Sequence, residues 1–159
     1  MKTIFKKPLW FTVITILCLV VVTLFAAFGC GKSETPLKDT LQGSKWKLVG
    51  VGSLDKIALQ ELEPKNCKKC YTLTFDTDNT FQTFSSTNEL QGIYKANYGT
   101  QTIQIIDFGG TKIGEIGGGN LYVNPFWEMA IQSFSLQGNE LRLYYNDNEN
   151  YLLFKTWKK

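Results

Sequence analysis

Residues 71–85, YTLTFDTDNTFQTFS, carry the clearest structural signal in the chain. Tyr71, Leu73 and Phe75 alternate with threonines, which is the two-residue period of a strand with one buried face. The next four residues, 76–79, are Asp, Thr, Asp and Asn, and side chains of these types favour turns. Alternation resumes at Thr80, so this stretch predicts an antiparallel hairpin.

Similar short apolar runs recur through the rest of the chain, separated by turn residues. This spacing is typical of an all-β barrel or sandwich. Eight segments fit strands: Lys45–Val51, Tyr71–Phe75, Thr80–Ser85, Gly92–Asn97, Thr102–Phe108, Ile131–Gln137, Glu140–Tyr145 and Tyr151–Trp157. Two segments predict short helical turns instead. Leu54–Pro64 has a helix-like spacing of leucines, and Asn124–Met129 offers Asn124 as a cap and Pro125 as the first helical residue.

Large side chains at the inward positions of these strands supply the predicted core. They are Trp46, Tyr71, Phe75, Phe84, Tyr94, Phe134, Leu143 and Phe154. A barrel of eight strands is barely wide enough for its own side chains, so we predict a filled interior. A ligand-holding cavity inside the barrel is the alternative.

The N-terminus has the features of a secretory signal. Three lysines lie within the first seven residues, residues 9–28 are almost wholly apolar, and small residues precede Cys30. These features predict a signal peptide over residues 1–29. A cysteine directly after the cleavage site is typical of the bacterial lipobox, in which the thiol is acylated. We therefore predict that Cys30 is the lipidation site.

The predicted lipid anchor divides the chain into three parts. Residues 1–29 are the signal, residues 30–43 a polar, flexible tether, and residues 44–159 the β-barrel domain. The alternative is an uncleaved membrane helix, because the apolar run is long enough to span a bilayer.

Charge gives no sign of a nucleic-acid partner. The chain has 17 basic and 14 acidic side chains, and the predicted signal removes three lysines and no acid. The mature part is then neutral, with Arg142 as its only arginine. Nucleic-acid binding requires clustered lysine and arginine, so this class of function is excluded.

The chain contains no histidine. Ser-His-Asp and Cys-His catalysis and every histidine-ligated metal site are thereby excluded. The carboxylates lie mostly in predicted turns, and no spaced pair suggests a general acid and base. We predict that the protein is not an enzyme and has no metal or other cofactor.

The cysteines predict one disulfide. Cys18 is lost with the signal and Cys30 carries lipid, which leaves Cys67 and Cys70 to pair in an oxidising compartment. A redox role is the alternative, since the two intervening lysines would lower the pKa of a thiol. A strand follows this motif, where redox motifs of this type precede a helix, and this favours a structural clamp.

Residues 109–120, GGTKIGEIGGGN, form a glycine-rich loop. A phosphate cradle is excluded because no Gly-Lys-Ser/Thr ending is present and no helix is predicted directly after the glycines. The segment is either a plain surface loop or a binding loop whose backbone pairs with a partner. The candidate binding residues are Thr111, Lys112, Ile113, Gly114, Glu115 and Ile116.

Three stretches resemble small bacterial lipoproteins of the META and lipocalin-like type. They are residues 70–78, residues 136–145 and residues 151–155, and Gly92-Ile93-Tyr94 is similar to the Gly-x-Tyr strand start of META relatives. The resemblance implies an eight-stranded antiparallel up-and-down barrel. Within this layout the chain also resembles the potempins, outer-membrane lipoproteins that inhibit secreted peptidases. That resemblance implies a serine-peptidase inhibitor, without identifying a reactive residue.

These observations lead to one leading hypothesis and one alternative. The leading hypothesis is a lipoprotein of the outer membrane, monomeric before it binds, that inhibits a secreted peptidase by inserting a rigid loop. The inhibitory segment is Thr111–Ile116, with the Lys65–Cys70 clamp as a second candidate. The alternative is a carrier or sensor of a small apolar ligand held in the barrel.

Overall fold

The computed structural model describes residues 40–158. Eight antiparallel strands follow one another in sequence order and close into a ring. The elements are β1 (Lys45–Ser53), β2 (Thr72–Phe75), β3 (Thr80–Phe84), β4 (Glu89–Asn97), β5 (Thr102–Gly110), α1 (Gly119–Trp127), β6 (Ser133–Gln137), β7 (Glu140–Tyr145) and β8 (Asn150–Thr156). The predicted eight-stranded, antiparallel up-and-down barrel is therefore confirmed.

The hairpin predicted from residues 71–85 is formed by β2 and β3. Phe75 pairs with Phe81, and the backbone N–H of Asp76 donates to the carbonyl of Thr80 at 2.9 Å. Phe81 and Thr83 point inward, whereas Phe84 is only partly buried. The prediction that Phe84 belongs to the core was wrong, because Phe81 and Phe84 differ by an odd number of residues and face opposite sides of the strand.

Aromatic rings fill the interior. The largest fully buried side chains include Phe75, Phe81, Tyr94, Phe154, and Tyr122 and Phe126 from helix α1. The rings of Phe75 and Tyr94 meet edge to face at 4.9 Å between centroids, and Phe81 lies 5.7 Å from Phe126. Fully burying one such side chain contributes roughly 1.5–3 kcal/mol. Interdigitated rings therefore occupy the position that a ligand would take in a carrier.

Helix α1 begins six residues earlier than predicted, at Gly119 instead of Pro125. Gly118 precedes it in a left-handed conformation, with φ of 83°, and Pro125 lies inside the helix instead of at its start. The helix therefore follows the glycines directly, contrary to the prediction that none does. The physical reason is its apolar face: Tyr122, Val123 and Phe126 are all buried, and this stripe starts before Asn124.

The helical turn predicted at Leu54–Pro64 was wrong. Gln60 forms an isolated antiparallel bridge with Val51, with N···O distances of 2.8 and 2.9 Å in the two directions. The side chain of Ile57, which the predicted spacing would place on a buried face, is fully exposed. Backbone pairing with β1 holds this segment in an irregular, extended conformation. Its apolar side chains therefore do not line up on one face, as they would in a helix.

The packed domain begins before Ser44. Leu41 is completely buried, and the backbone N–H of Gly43 donates to the carbonyl of Phe75 at 2.8 Å. The last residues of the predicted tether, 40–43, are thus packed on the barrel. Cys30 and the predicted signal peptide lie outside the described residues. Within residues 40–158, no helix has both the length and the apolar character needed to cross a bilayer.

The up-and-down topology gathers the long connections at one end of the barrel. This loop end consists of residues 54–71, 85–88, 111–118 and 146–149, together with helix α1. The opposite end has only short turns and the N-terminal residues 40–44. Between β5 and β6 a single residue pair, Thr102 and Ser133, closes the sheet, and helix α1 lies in the chain between these two strands.

Candidate functional site

Residues Thr111–Ile116, hereafter the Glu115 loop, leave β5 without helical or strand pairing. Every residue of this segment is exposed except Glu115, which is partly buried. The side chains of Ile113 and Ile116 are 63% and 55% exposed. The predicted binding segment is therefore an accessible loop that carries two apolar side chains into solvent.

Asn88, in the turn between β3 and β4, holds the middle of the loop. Its side-chain Oδ1 accepts a hydrogen bond from the backbone N–H of Ile113 at 2.6 Å, and its Nδ2 donates to the Ile113 carbonyl at 2.7 Å. Oδ1 also accepts from the hydroxyl of Thr111 at 3.0 Å. The Asn88 side chain is buried, so water competes little for these hydrogen bonds.

Glu115 points back toward the barrel and fixes the end of the loop. Its carboxylate accepts hydrogen bonds from the hydroxyls of Ser85 and Ser86, from the backbone N–H of Ser86 at 3.1 Å, and from Asn88 Nδ2 at 2.6 Å. Burial raises the pKa of Glu115, but these donated hydrogen bonds outweigh burial and hold the pKa below its ordinary value. The carboxylate is an internal anchor and is not free to bind a ligand.

A groove of about 350 Å³ runs between the Glu115 loop and helix α1. Lys112 and Trp127 lie on its two sides, and the Lys112 ammonium is 5.6 Å from the centroid of the Trp127 ring. Trp127 packs edge to face on Phe108, with centroids 4.8 Å apart. The loop is thus supported on the helix side by a cation–π contact as well as by hydrogen bonds beneath it.

Exposed apolar side chains concentrate at the loop end. Of the ten large apolar side chains that are exposed within residues 40–158, six lie there: Leu54, Ile57, Ile113, Ile116, Leu121 and Trp127. Because solvent-exposed apolar groups that cluster mark interaction surfaces, this end of the barrel is the candidate site for a protein partner.

The predicted disulfide between Cys67 and Cys70 is formed, with Cα atoms 5.4 Å apart. The ammonium of Lys47 donates hydrogen bonds to the carbonyls of both cysteines, at 2.8 Å for Cys67. Burial lowers the pKa of Lys47. Cys70 is buried, and the pair closes a four-residue loop ahead of β2, as expected of a structural clamp.

Sequence reasoning missed three parts of this site. Asn88 carried no pattern of its own, because an asparagine in a turn is ordinary. Trp127 was placed in a helical turn but not beside Lys112. The protruding Ile57 was assigned to a helix. The one sequence feature that could have indicated these residues is the length of the connections in which they lie, since loops on a rigid barrel often carry binding residues.

The part of the chain that the structure describes contains no group of three or more cysteine, aspartate or glutamate side chains able to hold a metal ion.

Comparison with known proteins extends the fold assignment. No family model matches the chain, and no protein among those with curated descriptions does. An NMR structure of a protein from Burkholderia xenovorans is similar, with a TM-score of 0.60, 20% identity, and coverage of 75% of this chain and 85% of that one. A crystal structure of a DUF4847 family protein from Bacteroides vulgatus has a TM-score of 0.58 and 16% identity, with coverage of 76% and 97%. These likenesses concern the fold, and the resemblance to META-type lipoproteins and potempins stays a prediction.

Proposed function

We propose that this protein inhibits a secreted serine peptidase by placing the Glu115 loop in the active-site cleft. The observation that carries the proposal is the way the loop is held. Asn88 pairs with both backbone groups of Ile113, and the Glu115 carboxylate accepts four hydrogen bonds from residues 85–88. An exposed segment fixed in this way loses little conformational entropy on docking.

The surroundings of the loop support a protein partner. Ile57, Leu121 and Trp127 lie exposed at the same end of the barrel, so a peptidase that receives the loop would also cover apolar surface. Tryptophan is among the residues that most often supply the binding energy at protein interfaces, and the apolar side chains around it exclude water from the contact. The proposed interface therefore includes this apolar surface in addition to the loop.

The alternative function, a carrier of a small apolar ligand, has less support. Phe81, Tyr94 and Phe126 occupy the barrel interior, and their rings contact one another. A ligand inside the barrel would have to displace these side chains from a close-packed core.

We further propose that Cys30 is acylated and anchors the domain to the outer membrane. The basic, apolar and small-residue segments before Cys30 support this proposal. Mass spectrometry of the protein isolated from its host should find an N-terminal diacylglyceryl or triacyl cysteine at this position. An N-terminus at Met1, with a free Cys30 thiol, would contradict it.

The inhibitor proposal is tested with the full chain in detergent and the secreted proteins of its host. We expect an equimolar complex with one serine peptidase that has no activity while bound and recovers it on dissociation. Binding without loss of activity, or no complex at micromolar concentration, would contradict the proposal.

A loop variant assigns the inhibition to the correct segment. Residues 111–114 and 116 are replaced by glycine and serine, while Glu115 is kept so that the anchor to residues 85–88 persists. The matched control replaces residues 99–101 in the turn between β4 and β5, at the opposite end of the barrel. We expect the first variant to lose inhibition and the control to retain it, with both barrels folded by circular dichroism.

A further inference from the structure

We infer that the target peptidase binds this loop at Lys112, presents the Lys112–Ile113 peptide bond to its catalytic serine, and belongs to the class that cleaves after basic residues. This inference rests on the proposed function. It is drawn from the free and occupied backbone groups of the Glu115 loop.

Substrate-like docking imposes a requirement on the inhibitor backbone. The residue before the presented bond needs a free carbonyl, because the oxyanion hole of the peptidase donates hydrogen bonds to that oxygen. Its N–H must also be free where the peptide adds as a strand to the enzyme. A loop residue whose backbone groups are already bound within the inhibitor cannot take this place.

Most residues of the loop fail this requirement. The N–H of Thr111 donates to the Glu89 carbonyl at 3.1 Å. Asn88 occupies both backbone groups of Ile113. The Gly114 carbonyl accepts from Thr87, and the N–H of Ile116 donates to Ser86. Among the six residues of the Glu115 loop, only Lys112 and Glu115 have neither the backbone N–H nor the carbonyl hydrogen-bonded within the part of the chain that the structure describes.

The side chains distinguish these two residues. The carboxylate of Glu115 is bound to Ser85, Ser86 and Asn88 and cannot enter a pocket of the peptidase without breaking that network. Lys112 is exposed, and none of the ion pairs among residues 40–158 involves it. Its ammonium rests on Trp127, a contact that an acidic specificity pocket can replace.

The clamp on Ile113 explains why the loop would inhibit instead of being consumed. When the peptidase serine attacks the Lys112 carbonyl carbon, a C–O bond forms, the Lys112–Ile113 C–N bond breaks, and the serine proton passes to the Ile113 nitrogen. Asn88 Oδ1 already accepts a hydrogen bond from that nitrogen, so the new amine stays beside the acyl group. Reversal of the same step then restores the peptide bond faster than water hydrolyses the ester.

The test measures inhibition constants of the full chain in detergent against bovine trypsin, chymotrypsin and elastase. The variants are Lys112→Arg, Lys112→Ile and Asn88→Ala, and Lys95→Ile on the outer face of β4 is the matched control. We expect wild type and Lys95→Ile to inhibit trypsin alike, Lys112→Arg to keep trypsin as its target because the side chain stays basic, and Lys112→Ile to bind trypsin about a hundredfold more weakly. Asn88→Ala should be cut between Lys112 and Ile113, as read by mass spectrometry.

The outcomes separate this inference from the proposed function. Inhibition of chymotrypsin or elastase but not trypsin, or trypsin inhibition that survives Lys112→Ile unchanged, overturns the assignment of Lys112 and leaves the inhibitor function intact. Inhibition of none of the three enzymes also overturns the basic specificity, and the complex with a host peptidase then decides the function by itself. Lys112 is exposed, so its variants fold even where Asn88→Ala does not.

Discussion

The side-chain amide of Asn88 pairs with the backbone of Ile113 in both directions, at 2.6 Å and 2.7 Å, as a neighbouring strand would. The two residues are 25 positions apart and lie in different connections of the barrel. These hydrogen bonds fix the backbone of the Glu115 loop as pairing in a sheet would, while the backbone groups of Lys112 stay available to a partner. This combination of internal support and free outer backbone is the basis of the inhibitor proposal.

Glu115 should make the stability of the protein depend on acidic pH. Its folded-state pKa lies below the ordinary value because the hydrogen bonds from Ser85, Ser86 and Asn88 outweigh burial. A carboxyl group with a lowered pKa stabilises the fold above its unfolded-state pKa of about 4.3, and this contribution is lost as the pH falls through the folded-state pKa. Glu115→Gln should therefore cost about 1 kcal/mol of unfolding free energy at neutral pH, a reduced value because the site is partly exposed.

Urea unfolding at about pH 7 and about pH 3 measures this dependence. The difference between wild type and Glu115→Gln should shrink at the acidic pH. The matched control is Glu149→Gln in the exposed turn between β7 and β8, which removes a carboxylate that accepts no hydrogen bond from residues 40–158. A difference that is equal at both pH values would contradict the role assigned to the Glu115 carboxylate.

Two buried tyrosines should respond oppositely to loss of their hydroxyl groups. The Tyr94 hydroxyl has no hydrogen bond of normal length among the described residues, although the Tyr98 hydroxyl is near enough to interact with it, and burial, together with Tyr98, raises the pKa of Tyr94 to about 12. The Tyr122 hydroxyl, in contrast, is bonded to Thr83 and donates to the Thr72 carbonyl at 3.3 Å. Because an unpaired buried hydroxyl is costly, Tyr94→Phe should leave stability unchanged or raise it by about 1 kcal/mol, and Tyr122→Phe should lower it by about 1–2 kcal/mol.

Thermal unfolding of these two single variants provides the comparison. A larger loss for Tyr94→Phe than for Tyr122→Phe would mean that the Tyr94 hydroxyl has a partner in solution.

Gly92 should tolerate no larger residue. A Cβ atom at this position would lie 2.5 Å from the Asp107 carbonyl oxygen and 2.6 Å from the Phe81 ring. Gly92→Ala should therefore lower the free energy of unfolding by about 2 kcal/mol or more, because neither the backbone of β5 nor the packed ring can move freely. Gly109→Ala is the matched control, since nothing lies within 4 Å of its added Cβ. Urea unfolding should separate the two, and equal stabilities would contradict the packing described for β4 and β5.

The disulfide should contribute modestly to global stability. Cys67 and Cys70 are three positions apart, so the bond restricts only a short loop of the unfolded chain. Replacing both by serine should cost below about 2 kcal/mol and leave peptidase inhibition unchanged. A loss of inhibition in a folded double variant would instead bring the Lys65–Cys70 clamp into the contact surface.

Much of the fold followed from local chemistry. The alternation of Tyr71, Leu73 and Phe75, and the turn residues between β2 and β3, predicted a hairpin that the structure contains. Helix α1 was located only in part, because its start depends on burying Tyr122 inside the barrel. The prediction that Asn124 caps the helix used only neighbouring residues and could not include that tertiary contact.

The sequence by itself determined where most of the strands lie, the pairing of Cys67 with Cys70, and the location of an exposed glycine-rich loop. These features follow from periodicity, turn chemistry and the count of cysteines, which act over a few residues at a time. Only the tertiary structure decided that Asn88 holds Ile113, that Trp127 supports Lys112, and that Glu115 is an anchor instead of a contact. Such partners are distant in sequence, and nothing but closure of the barrel brings their donors and acceptors within hydrogen-bond reach.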